Sequence, residues 1–219
     1  MLVRSFAFTA AAALLAAPAS AVVVESFEAG VPGTGQSKGF QFVDSGAGIT
    51  EGTQAVRRTI SGGAGFEIGP VFNIDGAPAP VTEITAEVHT LDAQPNGFLQ
   101  FVLGADFGDT DFAFNAQTDY VQVNGSKEPG GVGGNSFVGS GTGQFTITYT
   151  AAQNATFFNR VNAALLAGDA FDLAVVLNKA DGATGTFTVD NITANIVPEP
   201  ASLAVLGLGG VALLGRRRR

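Results

Sequence analysis

The sequence of 219 residues contains no cysteine and no tryptophan, and its only histidine is His89. Without cysteine the chain forms no disulfide and has no thiol for catalysis, so its stability must come from an apolar core or a bound ion. A single histidine also excludes the paired imidazoles of most zinc sites. The available chemistry is therefore that of carboxylates, amides, hydroxyls and the aromatic rings of phenylalanine and tyrosine.

The histidine lies in a segment with strand periodicity. In VTEITAEVHTLD the apolar residues Ile84, Ala86 and Val88 alternate with polar ones. A period of two is that of a β-strand with one buried face. We therefore predict that His89 lies on the solvent-facing side of a strand; the alternative is a catalytic base.

The N-terminus has the layout of a secretory signal peptide. Arg4 precedes an apolar run from Phe6 to Ala17, and Pro-Ala-Ser-Ala follows. The run is too short to span a bilayer, and its small-residue flank suits signal peptidase. We expect residues 1–21 to be removed after Ala21 and the chain to be exported; a buried N-terminal helix is the alternative.

The remaining charge is strongly negative. Residues 22–196 contain all acidic residues except Glu199, and they lack Arg4 and the four terminal arginines, which leaves 18 acidic against 6 basic residues. A net charge of −12 disfavours nucleic acid and anionic membranes as partners, because both require clustered lysine and arginine. About 175 residues are enough for one domain with its own core.

Short alternating runs between turn residues predict an all-β domain over residues 22–196. QFTITYT places Phe145, Ile147 and Tyr149 on one face, whereas GFLQFVLGADF and FDLAVVLNKADG are apolar throughout, as in central strands. The phase of GTFTVDNITANIV changes at Asp190-Asn191, which indicates a β-bulge. This rhythm is typical of a two-sheet antiparallel jelly-roll sandwich.

One segment has helical spacing. In TAAQNATFFNRVNAALLAGD the residues Phe157, Val161 and Leu165 recur on one helix face, with Thr150 as the expected N-cap and Gly168 as the C-cap. We expect one short helix over an edge or end of the sheets. The preceding stretch GSKEPGGVGGNSFVGSGTGQ has no core-forming pattern and is expected to be a loop that contributes to a binding face.

Three stretches resemble the landmarks of carbohydrate-binding modules with a galactose-binding-like jelly roll. They are VVVESFEAGVPG, GITEGTQAVRRTI and GTFTVDNITA. The resemblance implies a structural calcium ion that holds the first strand to the last. Its ligands would be the side chains of Glu28 and Asp190 and the carbonyl of Gly52 or Thr53; the alternative is that these carboxylates merely lie near each other at the rim.

A second acidic group follows an apolar strand. Asp106, Asp109 and Asp111 in GADFGDTDF could supply oxygen atoms to a cation, but they lack the spacing of an EF-hand. A solvated turn is the alternative.

Sugar sites usually present flat aromatic faces beside polar groups. The chain has only two tyrosines. Tyr149 shares the apolar face of its strand and is expected in the core, so Tyr120 in NAQTDYVQVNG is the candidate ligand-binding residue.

Motifs for catalysis are missing. The sequence has no Gly-x-Ser-x-Gly elbow, no paired histidines and no phosphate-binding loop. We predict that the protein is not an enzyme; a pair of carboxylates for glycoside hydrolysis is the alternative.

The C-terminus combines a Pro-Glu-Pro triplet, an uncharged apolar segment and four arginines. Residues 201–215 would span about 22 Å as a helix, less than the roughly 30 Å of a bilayer core. Arg216, Arg217, Arg218 and Arg219 would remain on the cytoplasmic side. Glycines weaken the helix, so it suits a transient transmembrane segment better than a permanent anchor, which is the alternative.

This tail, residues 197–219, resembles the PEP-CTERM sorting signal of Gram-negative bacteria, with Pro198, Glu199 and Pro200 as its motif. The resemblance implies processing by an exosortase-type membrane protease after transient arrest in the inner membrane. We therefore expect an exported protein of the cell surface or extracellular matrix that binds exopolysaccharide or another glycan. The alternatives are a structural matrix protein without a saturable site and a glycan-active hydrolase.

Overall fold

A computed structural model describes residues 20–28, 39–74, 80–108, 120–128 and 136–196. These residues form eleven strands and one helix. The elements are β1 Ser20–Glu25, β2 Gln41–Val43, β3 Ala55–Ile60, β4 Gly65–Phe72, β5 Val81–Gln94, β6 Leu99–Phe107, β7 Tyr120–Asn124, β8 Ser126–Glu128, β9 Gly141–Thr150, α1 Ala155–Ala167, β10 Phe171–Lys179 and β11 Thr184–Ile196.

The strands form two antiparallel sheets. The larger sheet has the order β2-β3-β11-β5-β9-β8, with β1 pairing β11 beyond the end of β3, and the shorter sheet has the order β4-β10-β6-β7. Successive strands cross repeatedly between the sheets, and the last two strands insert beside earlier ones, as in a jelly roll. The predicted all-β sandwich with one short helix is confirmed.

The core lies between the sheets and is rich in phenylalanine. The ring of Phe101 from the shorter sheet meets those of Phe187 and Phe145 from the larger sheet edge to face, with centroids 5.9 and 6.4 Å apart. In the central strands β6 and β10 nearly every residue is buried, on both faces. The sequences of β6 and β10 are largely apolar because both faces of these strands are buried, as predicted for central strands. Tyr149 is also fully buried, as predicted.

The last strand, β11, is irregular at the predicted point. Its register with β5 shifts between Asp190 and Thr193, and Asn191 has a left-handed φ of 44°. The bulge at Asp190-Asn191 is thus confirmed. It separates the part of β11 that pairs with β3 from the part that pairs with β1.

The helix begins later than the sequence predicts. Thr150 is not its N-cap, because this residue is the end of β9 and pairs with Glu83, so sheet pairing overrides the local capping signal. The observed N-cap is Asn154, and Gly168 ends the helix in a left-handed conformation as expected. The side chain of Asn162 holds α1 to the start of β5 through the N–H and carbonyl of Val81.

Several sequence predictions fall outside the described residues: the signal peptide before Ser20, Asp109 and Asp111, and the entire sorting tail. Within the described part, no helix is long and apolar enough to cross a membrane. The glycine- and serine-rich stretch is only partly a loop, because its two ends form β8 and the start of β9. β8 pairs with β9, and β9 pairs with β5, so strand pairing makes these two segments regular although their sequence has no core-forming pattern.

Candidate functional site

The outer face of the shorter sheet carries a row of aromatic and amide side chains near one end. Phe66 of β4 pairs with Asn178 of β10, Asn178 pairs with Gln100 of β6, and Gln100 pairs with Phe137 through an isolated bridge. Directly opposite residues of antiparallel strands lie on the same face. Neighbouring strands are about 4.8 Å apart, so the row is about 14 Å long.

The exposed phenylalanines of the described residues gather at this end. Phe66 is 45%, Phe137 is 44% and Phe98 is 39% exposed. Phe98 directly precedes β6, and its carbonyl accepts a hydrogen bond from the N–H of Ala180, just beyond β10. We call Phe66, Phe98 and Phe137 with the intervening Asn178 and Gln100 the phenylalanine platform.

One of the two amides of the platform, that of Gln100, is held by a hydrogen bond. The Nε2 of Gln100 donates to the Oδ1 of Asn124 on β7 over 2.9 Å, and Gln100 is largely buried. Asn178 is half-buried in the middle of the row. The surface thus combines flat apolar rings with the half-buried amide of Asn178, and pyranose rings and their hydroxyls require both kinds of group.

Along the strands, the residues on the rest of this face change from aliphatic to acidic. Beyond the platform lies an aliphatic cluster that consists of Ile68, Val71, Val102, Ala174 and Val176. At the far end Asp172 is opposite Asp106, and Asp106 is opposite Tyr120. The face therefore runs from aromatic and amide groups to carboxylates.

Two predicted site residues lie at that far end. The backbone of Tyr120 begins the edge strand β7, so it belongs to the same sheet as the platform but lies at the other end of it. Asp106 lies within β6 and is only 3% exposed, so it does not belong to the solvated turn that was the alternative to a cation site. Because the buried residues of β6 continue to Ala105, Asp106 also belongs to the strand.

Sequence reasoning missed the platform. Phe137 lies in a stretch predicted as a loop. Phe66 is exposed beside the half-buried Glu67, and its hydrophobic character does not predict that exposure. For Phe137 only the pairing with β6 reveals the position.

A different set of predicted residues meets at the 50–54 loop. Glu28, three residues beyond the end of β1, accepts hydrogen bonds from the N–H groups of Thr53 and Gln54 at 2.6 and 2.8 Å and from the Thr53 hydroxyl at 3.0 Å. The backbone N–H groups of Gln54 and Thr53 lower the pKa of the Glu28 carboxyl. An added Cβ at Gly52 would lie 2.3 Å from this carboxylate.

Asp190 forms the second half of the same attachment. Its Oδ2 accepts the N–H groups of Thr50 and Glu51 at 2.6 and 2.9 Å and the Thr50 hydroxyl at 3.1 Å, and its Oδ1 accepts the N–H of Asn191 at 2.8 Å. Asp190 is fully buried. We call these two sets of hydrogen bonds the Glu28 and Asp190 clasps; they join the first strand, the 50–54 loop and the last strand.

The clasps bear on the predicted calcium site. The structure brings Glu28, Asp190 and the Gly52 region together, as the resemblance implied. However, N–H groups point at both carboxylates and take the lone pairs that a cation needs. The described residues also contain no group of three or more acidic or histidine side chains that could hold a metal ion. In this arrangement the residues do not fit calcium, which stays an untested prediction.

His89 lies on the outer face of the larger sheet, opposite Thr188 and Gln144. It is half-buried rather than fully solvated, because Gly48 approaches its Cβ and that of Thr188. Burial, and then the positive charge of Arg57, lower its pKa.

Residues 197–219 match the PEP-CTERM protein-sorting motif. The predicted sorting signal, with Pro198, Glu199 and Pro200, is thereby confirmed, and it marks an exported protein sorted through the membrane. No curated protein matches the chain in sequence.

Solved structures similar to the chain include a mannan-recognising carbohydrate-binding module, TmCBM27, at 11% identity and a TM-score of 0.38, covering 81% of this chain and 98% of that one. A second is the C-terminal family 22 carbohydrate-binding module of Clostridium thermocellum Xyn10B, at 12% identity and a TM-score of 0.39, covering 86% and 96%. A third is an adhesin domain of Lys-gingipain from Porphyromonas gingivalis, at 10% identity and a TM-score of 0.35, covering 81% and 99%. These similarities concern the fold alone.

Proposed function

We propose that the chain, which carries a PEP-CTERM sorting motif, is a non-catalytic exported protein that binds a glycan on its phenylalanine platform. The observation that carries the proposal is the row of Phe66, Asn178, Gln100 and Phe137 across one sheet face. Aromatic faces bind the apolar faces of sugar rings, and amides bind their hydroxyls. A row about 14 Å long accommodates more than one ring.

Binding without hydrolysis suits the carboxylates of this face. Glycoside hydrolysis needs two carboxyl groups in contact with the glycosidic bond. Asp106 and Asp172 are opposite each other but only 3% and 7% exposed, and they lie at the end of the face farthest from the platform. A glycan on the platform would therefore not contact them.

The tail supports the route to the cell surface. We propose that an exosortase-type protease processes the chain near Pro198, Glu199 and Pro200 and that the product reaches the cell surface or extracellular matrix. Mass spectrometry of the surface-located protein should find a C-terminus without Arg219. An intact Arg219 on that protein would contradict processing.

The binding proposal is tested with the full chain, purified in mild detergent, on an array of bacterial and plant glycans. We expect saturable binding to a defined glycan and at least a roughly tenfold loss for the double variant F66A/F137A. The control variant L91A/L166A removes two exposed apolar side chains outside the platform and should bind like wild type.

A structural matrix protein is the second candidate. It is favoured by β1, where Val22 and Val23 are exposed on a strand that pairs only with β11 within the described part of the chain. Such an edge can pair with another chain. No saturable glycan in the array, combined with concentration-dependent association that V23K abolishes, would favour this candidate over glycan binding.

A further inference from the structure

A pocket of about 250 Å³ lies at the β2–β3 edge of the larger sheet. Its lining consists of Gly39, Gln41, Val43, Arg57, Arg58 and Thr59. Two of the six basic residues of an acidic domain therefore meet in one pocket. Because the larger sheet forms the other side of the sandwich, this pocket is separate from the phenylalanine platform.

The charge of Arg58 is already compensated. Its Nη2 is 2.9 Å from the Oε2 of Glu67, and its Nη1 donates to the carbonyl of Gly39 at 2.8 Å. Lys179 lies 3.6 Å from the other oxygen of Glu67. Arg58 therefore has a structural role, joining the two sheets at this edge.

Arg57 is oriented but not neutralised. Its Nε donates to the Thr188 hydroxyl at 2.9 Å, and its Nη2 donates to the carbonyls of Ser45 and Ala47 at 3.3 and 2.9 Å. These acceptors are uncharged, and no carboxylate among the described residues forms an ion pair with Arg57. The guanidinium is thus held in a fixed orientation, and its positive charge is unpaired among the residues that the structure describes.

Arg57 is half-buried and lines the pocket, and its Nη1 donates to no atom of the described residues. The charge also acts beyond the pocket, since it lowers the pKa of His89 two strands away. Gln41 and Thr59, both exposed, also line the pocket; the Thr59 hydroxyl shares a hydrogen bond of 2.8 Å with that of Thr186 and has further hydrogen-bonding capacity.

From these contacts we infer that the Arg57 pocket binds the carboxylate of an acidic sugar, a uronate unit of a polysaccharide. An arginine with fixed orientation binds a carboxylate through charge-assisted hydrogen bonds. Gln41 and Thr59 bind hydroxyls of the same ring. The net charge of the domain repels long polyanions, but at physiological salt the Debye length is about 8 Å, so the local charge decides the binding of a short oligomer.

The two sites have a joint consequence. With the platform on one sheet and the Arg57 pocket on the other, one molecule can hold a glycan on the platform and a short acidic oligosaccharide in the pocket. The inference on the pocket does not depend on the platform, because the two sites share no residue.

The test compares trigalacturonate with its methyl ester, which has the same sugar backbone without charge. Isothermal titration of the full chain at physiological salt should show the acid binding at least about tenfold more tightly than the ester. The variant R57Q should lose this difference, whereas K127Q, which removes a positive charge at the opposite edge of the same sheet, should keep it. R57K, which retains the charge without the fork, should bind with intermediate affinity.

Three results would overturn the inference. Equal affinity of wild type for acid and ester would exclude a role for the carboxylate, and this comparison needs no variant. A preference that persists in correctly folded R57Q would exclude Arg57. Acetate or sulfate that binds as tightly as the trimer would show a simple anion site and exclude the sugar. Glycan binding on the platform in the same samples is measured separately, and its presence or absence leaves these outcomes unchanged.

Discussion

Glu28 shows how one exposed carboxylate can fix a loop. The side chain reaches from three residues beyond the end of β1 to two consecutive N–H groups and a hydroxyl of the 50–54 loop. These bonds favour the ionised form and lower its pKa below the ordinary value of 4.5. The Glu28 clasp is therefore strongest when the carboxylate is ionised.

This dependence predicts how stability changes in acid. A group whose pKa is lower in the folded state contributes stability above its unfolded pKa and loses it as the pH falls through the folded value. Between about pH 5 and pH 3 the wild type should lose more unfolding free energy than E28Q. Urea unfolding at several pH values measures the difference. E51Q, in the same loop, should follow wild type; equal curves for wild type and E28Q would contradict the clasp.

Asp190 carries the larger share of the attachment, because it is fully buried and accepts four hydrogen bonds. D190N should lower the free energy of unfolding by about 2–4 kcal/mol, since the amide places N–H groups against the donors of the loop. Urea unfolding of D190N measures this. D181N, an exposed acid in the β10–β11 turn, serves as the control and should change little; a D190N loss no larger than that of D181N would show that the bonds are not formed.

The 50–54 loop depends on one glycine. Gly52 has a φ of 61°, and an added Cβ would lie 2.3 Å from the carboxylate of Glu28, whereas Gly63 has a φ of 51° and open space around it. The backbone cost of alanine at a left-handed position is about 1–2 kcal/mol and applies to both. G52A should therefore be less stable than G63A in thermal unfolding, by the additional loss of the Glu28 clasp. Equal melting temperatures would contradict the close approach.

Local patterns predict individual strands better than they predict surfaces. The apolar runs of β6 and β10 and the change of phase at Asp190-Asn191 follow from side-chain alternation within one segment. The start of α1 does not, because pairing of Thr150 with β5 extends β9 beyond the local helix signal. The platform is least predictable, since only the register of three strand pairings places Phe66 and Phe137 at the two ends of one row.

The clasps join elements from the beginning, the early part and the end of the domain through hydrogen bonds to two carboxylates. If N–H donors fill the carboxylate oxygens in solution, addition of EDTA should leave the melting temperature unchanged, and millimolar calcium should not raise it. Thermal unfolding of the full chain with each addition measures this. A clear rise with calcium would contradict the clasps and support the calcium site predicted from the resemblance.

The last strand completes the larger sheet. β11 lies inside the larger sheet, between β5 on one side and β3 and β1 on the other, and it ends at Ile196, directly before the sorting motif. The sheet is complete only when the chain up to this residue is available. The folded domain and the tail that sorts it are therefore adjacent along the chain.

Glycan binding by the phenylalanine platform can be observed residue by residue. The most direct measurement is the change in backbone amide NMR shifts when the glycan selected by the array is titrated into the isotope-labelled full chain. If the platform binds the glycan, the largest shifts are expected at Phe66, Phe98, Gln100, Phe137 and Asn178. Shifts confined to the larger sheet, or shifts that persist unchanged in F66A/F137A, would contradict it.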